Sequence, residues 1–139
     1  MSDPIVWAEI LEPFDIATAP PRSSGELRNA EAQLGSTLPT DLRILLAFSD
    51  GLFVAVGQWY FVWPLDRLVS DNLALRADAS GFPSDLLAFG DDGTGAPFCM
   101  SMPDDQEVCS WSPIDGEAKW LNDTLEAFVL GWLTGTITT

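Results

Sequence analysis

The chain has no histidine. That absence removes Ser-His-Asp and Cys-His catalysis, imidazole acid–base chemistry and His-ligated zinc. Cysteine is scarce too. Nine residues separate Cys99 from Cys109, so neither a CxxC pair nor a structural zinc site can be assembled. No apolar run approaches the ~18 residues that a bilayer span requires. Met1-Ser2-Asp3-Pro4 lacks a basic region leading into an apolar stretch, so no secretory signal is expected and the cytoplasm is the default compartment. Thiols stay reduced there, which favours two buried free cysteines. GxGxxG and phosphate-loop patterns are missing. Asp91-Asp92-Gly93-Thr94-Gly95 lacks the alternating oxygen ligands and distal glutamate of an EF-hand. The expectation is a chain without metal, cofactor or catalytic set.

Positive charge is also in short supply. Six basic residues face 21 acidic ones, a net charge of -15 on 15.1 kDa, while apolar residues make up 47%. Such a composition folds, and the length suits one domain. A globule of this mass exposes roughly 7,000 Å², so evenly spread excess charges would lie about 20 Å apart, beyond a Debye length of ~8 Å. Clustering therefore decides what the charge can do. Residues 85–126 carry ten acids and one base, Lys119; residues 1–84 carry eleven acids and five arginines. This balance opposes direct nucleic-acid binding through phosphates. A basic protein partner fits it, and so does an acidic surface that serves solubility alone.

Asp3-Pro4 and the spacing of Trp7, Ile10, Leu11 and Phe14 predict a short helix over 4–14. Ala17 to Pro21 reads as a connector. Ser23-x-x-Glu26 is a capping box, opening a helix with Leu27, Ala30 and Leu34 inward and Gly35 as its stop. Leu38-Pro39-Thr40-Asp41 starts another helix, with Leu42, Leu45, Leu46 and Ser49 inward and Asp50-Gly51 ending it. Gln58 to Trp63 then reads as an aromatic strand, apolar on both faces, closed by Pro64. Residues 65–77 are mixed, with room for a helical turn.

Leu86 to Phe89 is a short strand running into Asp92-Gly93. Phe98 to Met102 and Val108 to Trp111 form a hairpin; if Met102 faces Val108, Cys99 faces Trp111 and the thiols are diagonal. Asp115-Gly116 marks a turn into a last strand, Ala118 to Leu121. Asn122 or Asp123 caps a final helix with Leu125, Phe128, Val129, Trp132 and Leu133 on one face. Helices, an antiparallel meander and a closing helix make an α+β fold: a mainly antiparallel curved sheet packed against N- and C-terminal helices. Trp111, Trp120 and Trp132 are expected in its core. Trp59 and Trp63 can present one face of a strand to a partner. The acidic turns holding Asp91 and Asp92, and Asp104, Asp105 and Glu107, are the other candidate contacts.

These pieces resemble the SUKH superfamily, which includes the Smi/Knr group of yeast cell-wall regulators and many bacterial immunity proteins. The resemblance rests on Glu31-x-x-Leu34-Gly35-x-x-Leu38-Pro39-x-Asp41 with Asp50-Gly51, the aromatic strand before Pro64-Leu65, Leu87-Ala88-Phe89-Gly90-Asp91-Asp92-Gly93-x-Gly95 leading to Phe98, and Val108-x-x-Trp111 before the last helix. It covers about residues 23–135 and leaves 52–57 and 64–85 unassigned. It implies an N-terminal extension and connector over 1–22 and a family domain over 23–139. By resemblance the chain is a non-catalytic immunity protein that blocks a basic toxin acting on nucleic acids. A regulatory scaffold of the Smi/Knr type is the alternative. A small-molecule binder or carboxylate enzyme is the reading from a third class.

Overall fold

Ser23 sets the first long helix. Its hydroxyl accepts from the Glu26 N–H at 3.2 Å while its own N–H donates to the Glu26 carboxylate at 3.1 Å. The computed structural model describes residues 7–12, 14, 16–54, 59–77, 82–83, 86–91, 97–101, 107–112, 116–122 and 124–134. They form α1 (Trp7–Leu11), β1 (Ile16–Thr18), α2 (Ser24–Leu34), α3 (Thr40–Phe48), β2 (Leu52–Val54), β3 (Trp59–Val62), α4 (Leu65–Ala77), β4 (Leu86–Asp91), β5 (Pro97–Ser101), β6 (Val108–Ser112), β7 (Glu117–Asn122) and α5 (Leu125–Leu133). The α+β expectation holds. The strands divide into two antiparallel sheets, ordered β1-β2-β3 and β4-β5-β6-β7.

The residues carrying the family resemblance are joints between elements. Gly35, at φ 76°, closes α2 in the left-handed conformation, and its N–H donates to Glu31 O at 2.9 Å. The Glu31 carboxylate then reaches across the turn to accept from the Leu38 N–H at 2.7 Å and to pair with Arg43 on α3. Asp50 accepts from the Leu65 N–H at 2.8 Å, so it caps α4 from a distant loop. Gly51, at φ 89°, was expected to end α3, but Ser49 does that with extended backbone. Gly51 is needed for a different reason: a Cβ there would lie 2.8 Å from Val62 O. Gly90 allows a still closer approach, since its Cβ would sit 1.9 Å from Phe61 O. This contact lets the inner strands of the two sheets abut, with Trp63 N–H donating to Phe89 O at 2.8 Å.

The core fills the space between the sheets and α5. Phe128 is fully buried and packs against Phe98 at 4.8 Å, Phe61 at 5.7 Å and Phe89 at 6.0 Å between ring centroids. Leu125 and Val129 are buried beside it, and Trp132 is partly buried. Thr124 caps α5 by accepting from the Ala127 N–H at 3.1 Å. The cap was expected at Asn122 or Asp123; Asn122 is instead the last residue of β7, and Asp123 lies outside the described residues.

Other expectations shift. The N-terminal helix is shorter than 4–14 within the described residues; Trp7 and Leu11 are buried. Part of the connector is a strand, with Ile16 opposite Val54 and Thr18 opposite Leu52. Residues 65–77 form a complete helix rather than a turn. The β5–β6 hairpin pairs Met100 with Val108, which puts Cys99 directly opposite Cys109 and not diagonal to it. Both thiols are nonetheless free and buried. Among the described residues no helix is long and apolar enough to cross a membrane.

Candidate partner-binding surface

Two of the expected contact residues turn inward. Trp63 is 4% exposed and Asp91 7%. A buried indole N–H requires an acceptor, and Trp63 Nε1 donates to Asp91 Oδ2 at 2.8 Å. Arg67 joins them: its Nη2 lies 3.3 Å from the same oxygen and its guanidinium lies 4.8 Å from the centre of the Trp63 ring. Asp91 is the last residue of β4, not part of an acidic turn. The trio locks the end of β3, the first turn of α4 and the end of β4. Arg67 is exposed, but Trp63 and Asp91 offer a partner almost no surface, which corrects their reading as contacts. Trp59 opens β3 opposite Val54. Asp92, Asp104 and Asp105 lie outside the described residues. Glu107 is exposed immediately before β6, and its carbonyl accepts from the Ser101 N–H at 3.3 Å.

The arginines gather on the layer built from α2, α3 and α4. Arg22 meets Glu26 at 2.9 Å and Asp66 at 2.7 Å, with Asp50 at 3.7 Å. Arg43 pairs with Glu31, and Arg67 with Asp71 at 3.2 Å as well as with Asp91. Arg28 Nε donates to Ser24 O at 3.4 Å, and Arg76 Nη1 to Leu34 O at 2.8 Å, near the C-terminus of α2. Hydrogen bonds from the Ser23 N–H and hydroxyl, aided by Arg22, hold the Glu26 carboxyl below its usual range. The four-stranded sheet has one described cation, Lys119. No described residue forms an ion pair with Glu107 or Glu117 there, or with Glu126 on the first turn of α5.

Trp120 departs from expectation in the opposite direction to Trp63. Expected in the core, it is 51% exposed. It sits on β7, the outer strand, at the end of a row that runs Ala88, Cys99, Cys109, Trp120 across the sheet. The first three are fully buried. The indole thus continues a buried row out to the sheet edge, flanked along the strand by exposed Glu117 and Lys119.

Two further features lie among the described residues, the paired thiols and a groove on the helical layer. Burial, with Cys109 as a neighbour, pushes the Cys99 thiol well above its ordinary value. A neutral, enclosed thiol is a poor nucleophile. A groove of about 460 Å³ between α2 and α4 is lined by a mixture that includes Arg22, Glu26, Asp66, Val69 and Leu73. Among the described residues no group of three or more Cys, Asp or Glu is placed to hold a metal. In comparison with known families, a SUKH-family model described as SMI1-KNR4 cell-wall aligns with residues 24–129. No curated protein matches the chain.

Proposed function

Because the chain belongs to the SUKH (SMI1-KNR4) family, we propose that it is a non-catalytic cytoplasmic immunity protein that binds and neutralises a basic toxin domain acting on nucleic acids. One observation carries this reading. The arginines are engaged by carboxylates and carbonyls on the α2–α3–α4 layer, while half-exposed Trp120 lies on the four-stranded sheet with exposed Glu117 towards one end of its strand and exposed Glu107 towards the other. Negative charge of this kind accelerates encounter with a basic partner, and a buried aromatic anchor slows release. Inhibition would be steric, by covering the toxin's own phosphate-binding surface.

The test is capture from the source cell, followed by rescue. Cells expressing the captured protein should survive only when this chain is co-expressed. Replacing Asp104, Asp105 and Glu107 together by Asn, Asn and Gln should slow association and flatten its dependence on ionic strength, with less effect on dissociation. A captured protein that is harmless on its own removes the immunity reading. The match to a family described by cell-wall proteins favours a second reading, a regulatory scaffold of the Smi/Knr type. Under it the captured partner is a regulator and the rescue experiment shows no difference.

A further inference from the structure

We propose that the outer edge of β7 is a strand-addition site for an extended, basic segment of a protein partner, anchored on Trp120. The proposal rests on the reading that this chain works by binding a protein. It adds where that binding occurs and in what geometry.

The register identifies which backbone groups are available. The Ser101 N–H donates to Glu107 O, so Ser101 and Glu107 are a hydrogen-bonded pair. Bonded and non-bonded pairs alternate along an antiparallel ladder. Cys99–Cys109 is therefore bonded, and Cys109 turns its backbone groups towards β5. Ser110 and Ser112 turn theirs towards β7, where they meet Lys119 and Glu117. Ala118 and Trp120 are left with their N–H and C=O groups facing away from the sheet. Nothing among the described residues pairs with that edge. Two residues thus offer two donors and two acceptors, enough to register a short added strand.

The side chains say what the strand would be. A residue of an added strand opposite Trp120 shares its face of the sheet and covers the exposed half of the indole. Glu117 lies at one end of the edge. Glu107 precedes Val108, which is opposite Asn122 at the other end, and Glu126 follows on α5. These three carboxylates have no ionic partner among the described residues and outnumber Lys119. A second copy of this chain is a poor occupant, because it would bring a net charge of -15 against the same charge. A strand alternating lysine or arginine with apolar residues satisfies both features.

The experiment uses the full chain and a fluorescein-labelled octapeptide alternating lysine with valine, at about 50 mM salt, where screening is modest. Fluorescence anisotropy reads binding, and amide hydrogen exchange reads its location. The expected result is saturable binding with slowed exchange at Ala118 and Trp120. Trp120→Ala should weaken binding about tenfold, and so should N-methylation of alternate peptide bonds, as expected from losing an anchor or one or two hydrogen bonds. Ala118→Pro should do the same while keeping the ladder to β6, since the lost N–H faces outward. Should that variant fail to fold, Trp120→Ala and the methylated peptide still decide. The proposal is overturned if the peptide does not bind, if the methylated or an alternating glutamate–valine peptide binds equally, if protection appears elsewhere, or if the chain dimerises through β7. A captured protein partner that binds Ala118→Pro and Trp120→Ala as tightly as the parent chain would reject this edge and leave the proposed function standing. Capturing no protein partner would reject the function itself.

Discussion

Replacing Asn72 by alanine should be among the most costly single changes in α4. Asn72 is fully buried. Its Nδ2 donates to Ala88 O at 2.7 Å, and its Oδ1 accepts from the Ala88 N–H at 2.8 Å. A side-chain amide thus pairs with β4 as a neighbouring strand would, along the flank opposite β5. Nδ2 also donates to Leu68 O at 2.7 Å, but that carbonyl keeps its helical partner when the side chain is lost. Alanine leaves two buried backbone groups of Ala88 unpaired. At about 1–3 kcal/mol for each, and with roughly 0.5 kcal/mol returned by better helix propensity, the expected loss is about 2–5 kcal/mol. For a urea slope of roughly 2 kcal/mol/M that lowers the midpoint by about 1–2.5 M. Leu73→Ala, at the neighbouring exposed position, is the control and should stay within about 0.5 kcal/mol. Amide exchange at Ala88 should accelerate in the variant more than the global loss accounts for. A midpoint for Asn72→Ala within about 0.3 M of the parent chain would refute the argument that this amide substitutes for a strand.

Phe128→Ala should cost about 3–5 kcal/mol in chemical denaturation, because the ring is fully buried among Phe61, Phe89 and Phe98. Gly90→Ala should lose about 3 kcal/mol or more, or fail to give folded protein by circular dichroism, because the Phe61 carbonyl it meets is backbone and cannot swing aside. Cys99 and Cys109 should resist a thiol reagent until the chain unfolds. Cys99 also predicts a pH dependence. Its folded-state value is raised, so the stability it contributes is complete below the unfolded thiol value of about 8.5 and declines as pH rises through it. Urea midpoints measured at neutral and alkaline pH should show that decline, and Cys99→Ala should reduce it.

Asn72 also explains why α4 could not be read from sequence. Leu65, Leu68, Val69 and Asn72 follow the spacing of an inner helical stripe, but the last is polar, which breaks the pattern where the fold relies on it most. Apolar residues dominate the inner faces elsewhere: Leu27, Ala30 and Leu34 on α2 announce theirs directly, as do Leu42, Leu45 and Leu46 on α3, where the one buried polar residue, Asp41, sits in the first turn. The hairpin register failed for a different reason. Pairing Cys99 with Trp111 instead of Cys109 is a slip of two residues, and side chains alternate with a period of two. Every residue keeps its face under such a slip, so the apolar pattern cannot distinguish the registers.

The surface was harder to read than the core because its features depend on neighbours distant in sequence. Trp63 and Trp120 look alike as strand-flanking tryptophans. Trp63 is buried because Gly90 lets β4 press against β3, bringing Asp91 within reach of the indole. Trp120 is exposed because β7 is the outer strand of its sheet, with no further neighbour among the described residues. Only the order of strands separates the two cases. Charge behaves the same way. All five arginines precede residue 84 in sequence, yet that fact becomes a spatial asymmetry only because α2, α3 and α4 pack together and hold Arg22, Arg43 and Arg67 through Glu26, Glu31, Asp66 and Asp71, and Arg28 and Arg76 through the carbonyls of Ser24 and Leu34. The pair exposed on both sides, Arg67–Asp71, contributes little stability, whereas Arg22 and Glu31 are largely covered. These pairs also shape the field: they neutralise carboxylates on the helical layer and leave those of the four-stranded sheet as the uncompensated source. Removing Arg22, which is only 21% exposed and meets Glu26, Asp66 and Asp50, would leave those three carboxylates without their shared cation and spread negative potential over the α2–α4 groove, so the chain would lose contrast between its two sides as well as stability.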